Sequence, residues 1–199
     1  MSAAVLPPAA ESDVRRVRFS RGDVERMLEA GILEGRRFEL IEGELIDKMG
    51  QKPPHIYVLR VIQTWLASMF GIRLQVQSAL EAAQGDREFS LPEPDLCVLA
   101  EARPEYRKRL VRGDETVLVV EVADTSLRQD TTVKRGLYGR AGVPEYWVVS
   151  IPNREVIVHR DLSHGIYRQV TTVSEVDTVS VPSAPEKSIP VALIFGDEQ

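Results

Sequence analysis

The sequence predicts an α/β protein, and three observations carry that reading. Residues 116–122 are almost wholly apolar and residues 145–151 contain Tyr-Trp-Val-Val, the pattern of strands covered on both faces. Leu59, Ile62, Leu66 and Met69 recur at helix spacing, and a second helical stretch, residues 127–140, separates the two apolar runs. Short strands around Gly43 and Gly165 add hairpins to this alternation.

Along the chain, residues 1–13 are rich in Ala and Pro without periodicity and read as a flexible tail ahead of a single domain over 14–199. Ser20 followed by Asp23 has the capping-box pattern, and Val24, Met27 and Leu28 supply one apolar face of a first helix ending near Gly31. Residues 37–41 and 44–46 read as two strands about Glu42-Gly43, which puts Glu39 on a strand. Pro53-Pro54 opens the second helix, with His55 one turn before Leu59, and Gly71 closes it. Ile72, Leu74, Val76 and Ser78 alternate with polar residues as in a half-exposed strand, and residues 84–90 form a polar loop.

Pro92-Glu93-Pro94 forbids helix and forces an extended approach, after which Asp95 opens the strand 96–99. Asp124, Thr125 and Ser126 are able caps for the helix 127–140, which Gly142-Val143-Pro144 terminates. After the strand 145–151, Pro152-Asn153-Arg154 turns the chain into residues 155–159, and residues 166–170 follow the Ser163-His164-Gly165 turn. The end of the chain carries a Val-rich strand over 176–181, a Pro/Ser/Lys linker and an apolar patch over 191–195. No internal repeat interrupts this order.

Composition narrows the function classes. With 199 residues, 43% of them apolar, the chain can bury one sizeable core. No window approaches the roughly 20 apolar residues of a membrane helix, and the first ten residues lack a basic segment, so a soluble cytoplasmic protein is expected. Cys97 is the one cysteine and sits in an apolar string, which excludes an internal disulfide and a Cys/His metal site. A net charge of -5 argues against a surface that grips a polyanion everywhere. Any nucleic-acid contact must be local, and the tract from Arg103 to Arg112 follows the Asp95 strand closely enough to supply it; Arg15-Arg16-Val-Arg18 reads as a solvated run.

Asp95 and Glu121, 26 residues apart, stand at the ends of two apolar strands. If those strands are neighbours, the two carboxylates can share a hard divalent cation, Mg²⁺ or Mn²⁺. Pro-Asp before a strand is also ordinary turn chemistry, and the acids could instead pair with the arginines between them. Lys134 can stabilise charge on a phosphorane or orient the attacking water, although Asp130 four residues earlier also makes it half of a helix pair contributing roughly 0.3 kcal/mol. No Gly-x-Ser-x-Gly turn and no Gly-rich phosphate loop occurs, and His159 and His164 fall where surface roles are expected.

Taken in order, Phe38-Glu39-Leu-Ile-Glu-Gly43-Glu-Leu, Pro-Pro-His55, Pro94-Asp95, Val120-Glu121-Val, Asp130-x-x-x-Lys134-x-x-x-Tyr138 and Gly142-Val-Pro-Glu-Tyr-Trp147 resemble the Uma-type restriction endonucleases of the PD-(D/E)XK nuclease superfamily, over residues 20–195. The resemblance implies a restriction-endonuclease-like α/β core, a mixed central β-sheet flanked by helices with extra β-hairpins. It implies a Mg²⁺- or Mn²⁺-dependent endonuclease acting on nucleic acid, DNA before RNA, and a homodimer. Asp95 and Glu121 would be the metal ligands. The position where a (D/E)XK motif carries its lysine is Ala123, so Lys134 would be that lysine moved to the following helix. Glu39 would be an additional acid binding metal through water, or else an exposed strand glutamate, and His55 a helix-start histidine that contacts phosphate or simply caps and packs. Ala123-Asp124-Thr125-Ser126 replaces the family's Leu-Ser-Pro-Ser-Thr, adding a carboxylate at Asp124. The competing expectation is a non-catalytic scaffold or dimerisation module that keeps this fold and uses Tyr146 and Trp147 to hold a partner.

Overall fold

The computed structural model describes residues 17–48 and 50–196. The tail expected over 1–13 and the Arg15-Arg16 run lie outside the described residues. Helix α1 (Arg21–Glu29) starts on a complete capping box: the Ser20 hydroxyl accepts the Asp23 N–H, and the Asp23 carboxylate takes the Ser20 N–H in return. Strands β1 (Phe38–Ile41) and β2 (Glu44–Asp47) form a hairpin whose two turn residues, Glu42 and Gly43, both have positive φ (49° and 86°), matching the twist of the strands they join.

Helix α2 (Pro53–Phe70) places its prolines in the first turn, where no N–H partner is lost, and buries Val58, Leu59, Ile62, Leu66 and Phe70 along one stripe. The expected strand 72–78 is shorter than its alternation suggests: Gly71–Arg73 is a 3₁₀ turn with Ile72 87% exposed, and only β3 (Leu74–Val76) pairs. Then come β4 (Leu80–Glu81), β5 (Leu96–Leu99), β6 (Val111–Arg112) and β7 (Thr116–Ala123).

A crossover helix follows in three pieces, α3 (Leu127–Gln129), a π-turn (Asp130–Lys134) and α4 (Arg135–Arg140). Strands β8 (Tyr146–Ser150), β9 (Glu155–Ser163) and β10 (Ile166–Val173) complete the sheet, the last two joined through His164 and Gly165 at positive φ. Strands β11 (Thr178–Ser180) and β12 (Ser188–Pro190) pair with each other, and the terminal apolar patch is a helix, α5 (Val191–Phe195).

The central sheet has six strands in the order β10-β9-β8-β7-β5-β3 and is mixed: β7 and β8 run parallel across the crossover helix, and the other pairs are antiparallel. Period-two alternation along β7 divides it between two cores. Leu118, Val120 and Val122 pack with Trp147 under α2 and α5, while Val119 and Ala123 pack with Tyr138 and Tyr146 under the crossover helix. Trp65 of α2 stacks on Trp147 at 6.1 Å. No helix of the described residues is long and apolar enough to cross a membrane.

The far end of β7 is pinned by Glu115. Its carboxylate accepts two bonds from Arg109 at 2.7 Å each and the Arg112 N–H at 3.0 Å, and the Arg109 guanidinium holds the acid down at about 2 against the opposing effect of burial. A carboxyl lowered in the folded state contributes stability above its unfolded value near 4.5 and loses it as pH falls through about 2. Glu115→Gln should therefore melt a few degrees below wild type at pH 7, and the gap should close as pH approaches 2. Calorimetric melts across that range check it; a gap independent of pH would show that the ion pair is not the source.

Candidate active site

Register alone brings the first two acids together. Leu96 pairs with Val120 and Cys97 with Val119, so one further step sets Asp95 opposite Glu121. Directly opposed residues in antiparallel strands share a face, with Cβ atoms about 4.5–5.5 Å apart. That face lies under the crossover helix, and both acids are 2% exposed. Asp95 Oδ2 accepts the Val122 N–H at 2.9 Å and lies 3.4 Å from His55 Nε2 at the start of α2. Asp95 Oδ1 is buried without a hydrogen bond and lies 3.9 Å from Lys48 Nζ.

Glu121 is held from the helix side. Its Oε1 accepts Lys134 Nζ at 2.9 Å and the Tyr138 hydroxyl at 2.6 Å. The same Lys134 Nζ lies 2.6 Å from Glu39 Oε1 and 3.6 Å from Asp130 Oδ1, so one buried ammonium ties the β1–β2 hairpin, strand β7 and its own helix together. Glu39 Oε2 accepts the Glu93 N–H at 3.1 Å. Glu39 is thus neither exposed nor remote; it is a direct partner of Lys134. The Asp130–Lys134 helix pair exists as well, but inside the protein.

The π-turn explains how the helix delivers both residues inward. The Asp130 carbonyl takes the Arg135 N–H, five residues on, together with the Tyr146 hydroxyl at 3.1 Å. A side-chain donor inserted at a carbonyl and a widened turn are the hallmark of such bulges, which recur at functional sites. Ser126, read as a cap, sends its hydroxyl to Asp130 Oδ2 at 2.6 Å instead.

The electrostatics follow from burial. Burial opposes ionisation of Asp95, but the His55 ring, the Lys48 ammonium and the Val122 amide outweigh it, and the carboxyl stays below its ordinary value. Glu121 is pushed up to about 7 by burial, aided by the charges of Asp95 and Glu39 and opposed by Lys134 and Lys48. Burial would lower Lys134, yet Glu121, Glu39 and Asp130 together hold its ammonium well above the ordinary range. Four acids, Glu39, Asp95, Glu121 and Asp130, face two ammonium groups, Lys48 and Lys134, an excess of two negative charges when all are ionised.

Glu39, Lys48, Asp95, Glu121 and Lys134 line a cleft of about 170 Å³, with the Lys52–Asp124 ion pair at its rim (3.1 Å). The extra carboxylate at Asp124 is therefore engaged with Lys52. Among the described residues, no three His, Cys, Asp or Glu side chains form a ready-made cation site. The donors nonetheless fit a hard divalent ion: all are oxygens, and Asp95 Oδ1 is buried without a hydrogen bond. Asp95 and Glu121 are the pair that could hold it.

Other expectations fail. The tract Arg103 to Arg112 joins the end of β5 to the start of β7, whereas Asp95 and Glu121 lie at the opposite ends of those strands. Its Arg103, Arg109 and Arg112 are also paired with Glu101, Glu105, Asp114 and Glu115. His159 is not at the surface but buried and stacked on Tyr146. Tyr146 and Trp147 are fully buried, one in each core, so the partner-binding role given to them has no accessible surface. Lys48 escaped sequence reasoning because a single lysine after a strand carries no signal. Tyr138 was present only as a motif position.

Tyr138→Phe removes one donor from a buried carboxylate that keeps Lys134, and should cost roughly 1–3 kcal/mol in urea unfolding while preserving the far-ultraviolet circular dichroism. An unchanged unfolding midpoint would show that the bond contributes nothing.

Residues 23–192 match the Uma2 family, described as a putative restriction endonuclease. The curated proteins contain no match to the chain. A crystal structure described as a putative nuclease belonging to DUF820, from Anabaena variabilis ATCC 29413, superposes with a TM-score of 0.61 over 80% of this chain and 90% of that chain at 18% sequence identity, a likeness of fold. With the match running through both strand-end acids and the crossover helix, this chain belongs to the Uma2 family of restriction endonuclease-like proteins.

Proposed function

We propose that the protein is a divalent-cation-dependent endonuclease that hydrolyses phosphodiester bonds of DNA, with Asp95 and Glu121 holding Mg²⁺ or Mn²⁺ and Lys134 serving the attacking water. The observation that carries this reading is the convergence of Asp95, Glu121 and Lys134 on one cleft, with Asp95 Oδ1 buried and lacking a hydrogen bond. The nuclease description of the family supports the reaction class, and its wording as a restriction endonuclease favours DNA.

When bound, the cation supplies Lewis-acid stabilisation of charge at the phosphoryl group. The protein's own groups do the rest. Asp95, fixed by the Val122 amide and the His55 ring, lines the cleft and keeps one oxygen without a hydrogen bond. Glu121 is aimed by Tyr138 and Lys134. The Lys134 ammonium, anchored by Glu39 and Asp130, orients a water for attack on phosphorus and offsets charge as the P–O bond breaks. His55 stands on the other flank of Asp95, within reach of a phosphate entering the cleft.

Purified wild-type protein should nick supercoiled plasmid in Mg²⁺ or Mn²⁺ and lose that activity in EDTA. Asp95→Ala and Glu121→Gln should each lower the rate by roughly 10²-fold or more, the scale of removing one electrostatic stabiliser of the transition state, with the circular dichroism spectrum retained. Wild-type rates in folded Asp95→Ala would overturn the assignment.

A further inference from the structure

We propose that Lys48 is a tethered counter-cation that competes with the divalent ion for Asp95, an inference that rests on the metal-dependent reading above. The two ammonium groups of the cleft are held in opposite ways. Lys134 is enclosed by three carboxylates and cannot leave without stranding them. Lys48, at the end of β2, donates to the Glu93 carbonyl and meets Asp95 Oδ1 only at 3.9 Å, beyond hydrogen-bond reach. Its attraction to the acid is therefore Coulombic, without a hydrogen bond that fixes the ammonium to the carboxylate.

The oxygen it faces is the one that the site leaves unbonded, Asp95 Oδ1. An ammonium at that distance offsets part of the Asp95 charge, and Lys48 lines the cleft with its side chain 10% exposed. A cation reaching Asp95 must either displace this charge or bear its repulsion. Lys48 thus supplies part of the positive charge that faces Asp95 while no metal is bound, and weakens metal binding in return.

The sign of this effect separates it from a structural role, because a damaged site binds metal more weakly. Calorimetric titration of the full chain with Mn²⁺ alone, at fixed ionic strength, should show Lys48→Met and Lys48→Gln binding about tenfold or more tighter than wild type, the scale of removing a unit charge a few ångströms from the ion. Lys48→Arg should stay near the wild-type affinity. Binding that is unchanged or weaker in both neutral variants, with wild type binding normally, would overturn the role of Lys48 and leave the metal reading standing. Absence of Mn²⁺ binding in wild type and variants alike would overturn both.

Discussion

The contact on which the rest of the structure depends is the buried ammonium of Lys134 among Glu39, Glu121 and Asp130. Charges taken out of water cost several kcal/mol each unless paired and hydrogen-bonded, and removing one partner leaves the others uncompensated. That penalty locks three separate pieces of backbone, the β1–β2 hairpin, strand β7 and the crossover helix, into a single relative position. An apolar core would hold the same pieces together with a lower charge cost. The polar arrangement makes sense as preorganisation, with acids and ammonium already aimed where a reaction needs them.

The same cluster is deliberately unbalanced. Hydrogen bonds converge on one oxygen of Glu121 and one of Asp95, while Asp95 Oδ1 has none. Glu121 is lifted to about 7 chiefly by burial, which the charges of Lys134 and Lys48 oppose only in part. A protein that gained only stability from these groups would have satisfied that oxygen or replaced the acids. On the proposed reading, a bound cation would satisfy that oxygen.

Much of this was legible in the sequence, for local reasons. The capping box at Ser20 and Asp23, the prolines opening α2, and the unbroken apolar run of β7 each bias the backbone through interactions within a few residues. Glu121 was legible as an acid at the end of an apolar strand covered on both faces, where a charge needs a partner. What was not legible depends on tertiary partners. The π-turn relies on the Tyr146 hydroxyl reaching the Asp130 carbonyl from a strand that follows in sequence. The approach of Lys48 to Asp95, and the burial of His159 against Tyr146, need the folded sheet to exist first. The basic tract misled because nearness in sequence to β5 is not nearness to Asp95: a strand carries the chain away from the site as it forms.

On the proposed reading, Asp95 and Glu121 form one cation site beside Lys134. Crystals soaked in Mn²⁺ and measured at the manganese absorption edge would locate the ion. An anomalous peak is expected between the two carboxylates, with Asp95 Oδ1 among the ligands. A fully loaded crystal with no peak there, or with manganese bound only elsewhere, would contradict it.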